Sequence, residues 1–265
     1  MLERIDRVIL PVRDVASAAR WYVETFRCSI LSQSATEALL KVGEGETHLA
    51  LVSDESGRAL GYLDSEGHVP SFNFYTHWEH LHQAWLSLQG VRTTEIMRTS
   101  YMNVNEFYDP DGNVVGLCHE KESSLFYTPS EEEVPPLVHR VLAVFLPVLN
   151  LEASIAWYTR MLGFELIHHW GQGADLKVGS GETVVTMIVM NEEIHRQVIE
   201  KSAGSPYFSL QTSDIERVYG SLCNVGAVTG KRQPREGCFE AVSPEGLVFI
   251  IRERHYEFAG LPRYG

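Results

Sequence analysis

The histidines are the residues whose spacing comes closest to that of a metal site. His77, His80 and His82 lie at the start of a predicted helix, where His77 and His80 share a face. We interpret this group as a solvated helix face rather than a metal site. His168 and His169 are adjacent on a predicted strand, so their rings point to opposite faces of the sheet. That arrangement argues against shared ligation.

The other reactive side chains form no recognised catalytic motif. The sequence contains no phosphate-binding glycine loop, no HExxH and no nucleophile elbow. Cys118 and Glu120 alternate on one face of a predicted strand. A reactive, low-pKa thiol would need a nearby cation, and we favour a half-buried filler as the role of Cys118.

The composition is that of a globular protein with an acidic surface. The chain has 265 residues, 44% of them hydrophobic, a formal net charge of -13 and a pI near 5.3. This charge disfavours nucleic acid and anionic membranes as partners. No apolar run approaches the ~20 residues of a membrane span, and the charged N-terminus does not read as a signal peptide. Four scattered cysteines indicate reduced thiols and a cytoplasmic protein.

An internal repeat organises the chain. KVGEGET at residues 41–47 recurs as KVGSGET at residues 177–183, an offset of 136 residues. The same offset matches residues 10–12 with 146–148, Trp21-Tyr22 with Trp157-Tyr158, and Pro70, Phe72 and Thr76 with Pro206, Phe208 and Thr212, and an offset of 134 matches residues 110–112 with 244–246. We predict two homologous domains, 1–122 and 137–258, joined by an acidic, proline-containing linker, 123–136, and followed by a tail, 259–265.

Each copy alternates strand and helix patterns. Asp14 and Asn150 are predicted helix N-caps. The apolar stripes that follow are Val15, Ala19, Tyr22 and Phe26 in copy one, and Leu151, Ile155, Tyr158 and Leu162 in copy two. The second helix of each copy has the stripe Trp78, Leu81, Trp85 and Leu88, or Ile215, Val218, Leu222 and Val225. With the hairpin patterns between them, each copy is predicted to be two βαβββ modules, four in the whole chain.

These motifs resemble those of the vicinal-oxygen-chelate superfamily, which includes glyoxalase, bleomycin-resistance and extradiol-dioxygenase proteins. The resemblance rests on PVRD at residues 11–14 with Trp21-Tyr22, and on FYDPDGN at residues 107–113. It extends over both copies. It implies an α+β fold in which four βαβββ modules form two curled-sheet barrels or cups with helices outside. The superfamily includes lyases, isomerases, dioxygenases, thiol transferases and metal-free antibiotic-binding proteins, so the fold does not select a function.

The resemblance also implies where a metal would be held. Metal-dependent members place His or Glu at four inward strand positions, which are here Arg7, Ala50, Ser71 and Gly116 in copy one and Ala143, Thr186, Tyr207 and Ile250 in copy two. None of these eight is a His, Asp, Glu or Cys, and a divalent metal needs several such donors. We therefore expect no cofactor. The alternative is Fe²⁺, Zn²⁺ or Ni²⁺ held by displaced ligands.

Polar residues at and near these positions are candidates for a ligand site. Arg7 would bind a carboxylate or phosphate, unless it reaches solvent or pairs with an acid such as Glu3. His48 either points into the cup, as a hydrogen-bond donor, a base or a displaced metal ligand, or is a histidine at the cup mouth or in the core, which we favour. The predicted ligand-binding set is Arg7, His48, Ser71, Asn73, Thr186, Tyr207, Ser209 and Arg252.

Three hypotheses for function stay open at this point. The first is a metal-free protein that binds and sequesters a small organic molecule, anionic or aromatic. The second is a metal-dependent lyase, isomerase or ring-cleaving dioxygenase. The third is a scaffold acting through a protein partner. The chain is expected to be a monomer acting as a pseudo-dimer, or a homodimer. The modules pair either within each copy or between copies, the latter placing Arg7 and His48 with Tyr207 and Ile250.

Overall fold

The structure is a computed structural model that describes residues 2–63, 68–78, 85–87, 89–131, 136–202, 204–229 and 237–254. The helices are α1 (Val15–Phe26), α2 (Leu151–Trp157) with a π-helical continuation (Tyr158–Leu162), α3 (Glu192–Ser202) and α4 (Ile215–Cys223). The strands are β1 (Leu2–Val12), β2 (Ser29–Gln33), β3 (Glu37–Lys41), β4 (His48–Ser53), β5 (Tyr62–Leu63), β6 (His68–Val69), β7 (Phe72–Tyr75), β8 (Met97–Arg98), β9 (Met102–Tyr108), β10 (Val114–Glu120), β11 (Arg140–Val148), β12 (Glu165–His169), β13 (Gly173–Lys177), β14 (Val184–Val189), β15 (Pro206–Thr212), β16 (Cys238–Val242) and β17 (Val248–Glu253).

The described strands form two large sheets. One has seven strands in the order β16-β17-β15-β1-β4-β3-β2, and the other has eight in the order β12-β13-β14-β11-β7-β10-β9-β8. A short pair, β5-β6, stands apart. The predicted α+β class is confirmed. The chain divides into two compact units: unit 1 comprises residues 1–9 and 144–265, and unit 2 comprises residues 10–143. The domain boundaries that we predicted from the repeat describe the duplication in the sequence, and they stay a prediction.

Unit 1 includes the start of β1 because that strand pairs with β15. The pairing is antiparallel and places Arg7 opposite Ser209 and Val8 opposite Phe208. Strand β15 runs parallel to β17, which pairs antiparallel with β16, and α4 packs on β16 and β17. Strands β12, β13 and β14 form an antiparallel meander on which α2 packs. The first strand of the chain thus pairs with the first strand of the fourth module.

Unit 2 contains the corresponding elements of the first copy. Strands β2, β3 and β4 form an antiparallel meander under α1. Strand β7 runs parallel to β10, which pairs antiparallel with β9, and β8 pairs with β9. The helical residues 85–87 are the described part of the second predicted helix, and the Trp85 indole donates to the Thr25 carbonyl over 3.1 Å.

The predicted caps and stripes of the first helix in each copy are confirmed. Asp14 accepts a hydrogen bond from the Ser17 amide at 2.7 Å, and Asn150 accepts one from the Ala153 amide at 3.0 Å. All eight predicted stripe residues are buried. Tyr22 and Tyr158 are fully buried, whereas the neighbouring Trp21 and Trp157 are only half-buried.

Two details of the helices differ from the prediction. Val225 does not continue the stripe of α4, because the helix ends at Cys223 and Val225 is 48% exposed. Helix α3 was not predicted, although Asn191 caps it through the Ile194 amide at 2.8 Å. Ile194 and Val198 are its buried stripe. Predictions for Leu81, Leu88, His80, His82, part of the linker (132–135) and the tail (259–265) fall outside the described residues.

Candidate functional site

Four of the predicted ligand-binding residues come together on one sheet face in unit 1. Strand alternation separates the two faces of β15, β17 and β1. Phe239 and Ile251 pair across the strands, and Phe239 contacts the Tyr219 ring of α4 at 5.1 Å, so their face is the helix side. The opposite face bears Arg7, Tyr207, Ser209 and Arg252. We call these four residues the polar face.

The two arginines of the polar face share one buried carboxylate. The Arg7 Nε donates to Asp6 Oδ2 over 3.0 Å, and the Arg252 Nε lies 3.9 Å from the same oxygen. All three residues are buried. A register shift between Ile5 and Arg7 makes the contact of adjacent residues possible.

Arg7 pairs with an acid, which was one of the predicted alternatives, but the acid is not the example that was named. Glu3 was named as an example, but the carboxylate that accepts from Arg7 is that of Asp6, and Glu3 lies 3.7 Å from Arg254. Regular alternation would put Asp6 and Arg7 on opposite faces, so sequence reasoning missed Asp6. No simple pattern in the sequence marks the bulge that overrides this alternation.

Three polar atoms of the polar face are buried without a hydrogen-bond partner. They are Tyr207 Oη, Ser209 Oγ and Arg252 Nη1, all within the described part of unit 1. Burial raises the pKa of the Tyr207 phenol well above its usual value, so the hydroxyl stays protonated. Leaving such a group unsatisfied costs about 1–3 kcal/mol, and native structures contain few of them. The arrangement therefore offers three donors from one guanidinium and two hydroxyls.

The other four predicted residues lie elsewhere. In unit 2, Ser71 Oγ donates to the Val114 carbonyl at 3.1 Å, and Asn73 Oδ1 accepts from the Ala143 amide at 2.9 Å. His48 is half-buried at the start of β4, also in unit 2. Thr186 lies on β14 in unit 1 and donates to Asp175. The polar face therefore brings together only half of the predicted set.

The thiol and the first histidine have structural surroundings. Cys118 is fully buried, deeper than the half-buried filler we expected, and its Sγ donates to Glu120 Oε1 over 2.9 Å. Burial, and then the Glu120 carboxylate, raise the pKa of this thiol well above its usual value, which opposes a nucleophilic role. His77 is not on a helix; its ring packs against those of Tyr75 and His139.

The residues at the superfamily's ligand positions do not suit a divalent cation. Arg7 places a buried guanidinium at the first position, and Tyr207 places a protonated phenol at another. At Gly116 an added Cβ would lie 2.8 Å from the Asn73 Cβ, which leaves no room for a ligating side chain. In the part of the chain that the structure describes, no three His, Cys, Asp or Glu side chains are grouped as a metal ion requires.

No helix in the described residues is long and apolar enough to cross a membrane.

Among solved structures, a glyoxalase I mutant from Zea mays matches at a TM-score of 0.69 with 17% identity, covering 94% of this chain and 93% of that one. A putative dioxygenase from Bacillus subtilis subsp. subtilis str. 168 matches at a TM-score of 0.66 with 14% identity, covering 96% and 86%. At such identities the likeness concerns the fold alone. None of the curated proteins matches.

The family comparison agrees with the repeat and with the fold. The model of the glyoxalase/bleomycin resistance protein/dioxygenase superfamily matches residues 4–117 and again residues 138–238. Both copies of the repeat are therefore matched, and the match covers well over half of the chain. The chain belongs to the glyoxalase/bleomycin resistance protein/dioxygenase superfamily.

Proposed function

We propose that this chain binds and sequesters a small organic anion on the polar face of unit 1, without a metal ion. The observation that supports this is the set of three buried polar atoms without partners, Tyr207 Oη, Ser209 Oγ and Arg252 Nη1. An oxyanion accepts hydrogen bonds from donors of these kinds. Each contact gives a hydrogen-bond partner to a buried polar group that otherwise has none, and this favours binding.

A carboxylate is the anion that fits this donor set best. A guanidinium presents its N–H groups in the planar geometry that carboxylate oxygens accept. The two hydroxyls lie two residues apart on β15 and on the same face, since side chains alternate along a strand. They supply additional donors to the same group or to a neighbouring oxygen. A cytoplasmic location, expected from the cysteines, is part of the proposal.

The test compares acids with their uncharged amides. We would titrate the protein in EDTA with benzoate and benzamide, and with pentanoate and pentanamide, and record the melting temperature and the heat of binding. Arg252→Gln is the test variant. The matched control is Arg254→Gln, because Arg254 is an exposed arginine two residues after Arg252.

The expected result is that at least one acid binds, that its amide does not, and that Arg252→Gln alone weakens the binding. Equal affinity for acid and amide in every pair would overturn the anion site. One equivalent of tightly bound metal, lost together with an activity on EDTA treatment, would instead establish the metal-dependent lyase, isomerase or dioxygenase.

A further inference from the structure

A second polar arrangement lies on the other sheet of unit 1. His168, Asp175 and Thr186 are direct cross-strand neighbours on β12, β13 and β14. Thr186 Oγ1 donates to Asp175 Oδ1 over 2.6 Å, and His168 Nδ1 lies 3.4 Å from Asp175 Oδ2. One carboxylate is thus held from both sides, by a hydroxyl and by an imidazole.

This row of residues faces away from α2. The adjacent His169 points to the helix side, where its Nε2 lies 3.0 Å from Glu152 Oε1 on α2. His168 therefore belongs to the opposite face. Asp175 is buried, whereas the side chain of His168 is 46% exposed. A buried carboxylate facing Nδ1 favours the tautomer that carries the proton there, which leaves the lone pair on Nε2.

Trp170 supplies an aromatic wall beside this imidazole. The two ring centroids are 5.3 Å apart. The indole also covers the backbone of Gly173, where an added Cβ would clash with the Trp170 ring. Even so, Trp170 remains 42% exposed. One part of the ring is fixed against the strand and another is open to a ligand.

The first copy has the same strand pairing but lacks the row of histidine, aspartate and threonine. In unit 2 the cross-strand neighbours at the equivalent positions are Ser32, Leu39 and Ala50. The βαβββ scaffold therefore does not require a buried carboxylate here. Because a buried carboxylate must be compensated by hydrogen bonds to be tolerated, its presence in copy two alone indicates a role other than folding.

We infer that His168, oriented by Asp175 and Thr186, is a proton-accepting site for the hydroxyl group of a phenol-type aromatic compound, with Trp170 against its ring. The hydroxyl donates to Nε2. Where the proton transfers, the O–H bond breaks, the electron pair stays on the phenolate oxygen, and the imidazolium formed is stabilised by Asp175. This site is separate from the polar face and takes a different ligand chemistry, so it goes beyond the proposed function.

The probe is 4-nitrophenol, with 4-nitroanisole as the analogue that has no hydroxyl proton. Binding is followed by quenching of tryptophan fluorescence, and proton transfer by the visible absorbance of the nitrophenolate. The variants are His168→Gln, Trp170→Leu and the matched control His169→Gln. A triple variant, His168→Ser with Asp175→Leu and Thr186→Ala, installs the side chains of copy one and so keeps a set that this backbone already accommodates.

We expect saturable binding of 4-nitrophenol to the wild-type chain and to His169→Gln. His168→Gln and the triple variant should each bind roughly tenfold or more weakly, the scale of a lost hydrogen bond to a charged or ionising group. 4-nitroanisole should bind no better to the wild-type chain than to the triple variant. The inference is overturned if the wild-type chain shows no saturable binding, if 4-nitroanisole binds as tightly as the phenol, or if His169→Gln weakens binding as much as His168→Gln.

Discussion

At three equivalent positions of the repeat, the polar side chains of unit 2 have hydrogen-bond partners, whereas those of unit 1 keep a buried atom without one. The equivalent pairs are Ser71 with Tyr207, Asn73 with Ser209, and Cys118 with Arg252. The three residues of unit 2 all have partners, namely the Val114 carbonyl, the Ala143 amide and the Glu120 carboxylate. The three residues of unit 1 each keep a buried polar atom without one. Duplication thus preserved the strands but not the use of this face.

The helix sides of the two copies differ much less. Tyr22 and Tyr158 are both fully buried and each hydroxyl donates to a carboxylate, that of Asp109 at 3.1 Å and that of Glu245 at 3.3 Å. The comparison therefore separates a shared scaffold from two divergent faces. Variants at equivalent positions of the two copies should change the free energy of unfolding by similar amounts in the scaffold and by different amounts on the faces.

The largest effects are expected in the scaffold. Tyr22→Ala and Tyr158→Ala should each lower the free energy of unfolding by about 3–5 kcal/mol, because each removes a fully buried aromatic ring. Urea unfolding measures both, with the half-buried neighbours Trp21→Ala and Trp157→Ala as milder controls. A large loss in one copy and almost none in the other would contradict the shared scaffold.

A second prediction concerns the carboxylate under Tyr22. Burial raises the pKa of Asp109 from 3.8 to about 6. A carboxyl group with a raised pKa binds its proton more tightly in the folded chain. Its stabilising contribution is complete at a pH below the pKa of the unfolded chain, 3.8, and is lost as the pH rises through about 6. The change is on the order of 3 kcal/mol for about two pKa units.

Copy two provides the comparison for Asp109, because Ser243 stands at the equivalent position. We expect the free energy of unfolding of the wild-type chain, measured relative to that of Asp109→Ser, to decrease between pH 4 and pH 6. Chemical denaturation at several pH values gives this difference. A difference that stays constant with pH, or increases, would show that Asp109 does not titrate as its burial indicates.

The smallest effects should be found on the faces themselves. Asn73→Ala leaves the buried Ala143 amide without its acceptor and should cost about 1–3 kcal/mol. Ser209→Ala removes a hydroxyl that has no partner and should leave the free energy of unfolding unchanged or slightly raised. Differential scanning calorimetry of the two variants decides this. Equal losses would mean that the two faces are not used differently.

Sequence patterns were sufficient for the first helix of each copy because its signals are local. The stripe of α1 repeats at the helical period, and Asp14 caps it from three residues away. Whether a polar side chain on these sheet faces has a hydrogen-bond partner depends on distant residues instead. Asn73 finds its partner 70 residues away and Ser71 finds its partner 43 residues away. Nothing near these residues in the sequence distinguishes them from Ser209 or Tyr207.

The contact between Asp6 and Arg7 illustrates a second limit. Alternation predicts opposite faces for neighbours on a strand, but a bulge in β1 lets these two form an ion pair. The pair formed by His168 and Asp175 was also missed, because the two residues lie on different strands and meet only through the pairing of β12 with β13. Its signal was available, since Asp175 interrupts the apolar positions of a central strand.

The central claim is that the unpartnered atoms of the polar face are kept for a ligand, and Tyr207→Phe tests it most directly. The variant removes one hydroxyl that has no partner in the folded chain and changes little else. Its free energy of unfolding and its affinity for the acid identified by titration should be measured together. The account predicts equal or slightly higher stability with an affinity lowered by roughly twofold to tenfold, the scale of one neutral hydrogen bond. Lower stability with unchanged affinity would contradict it.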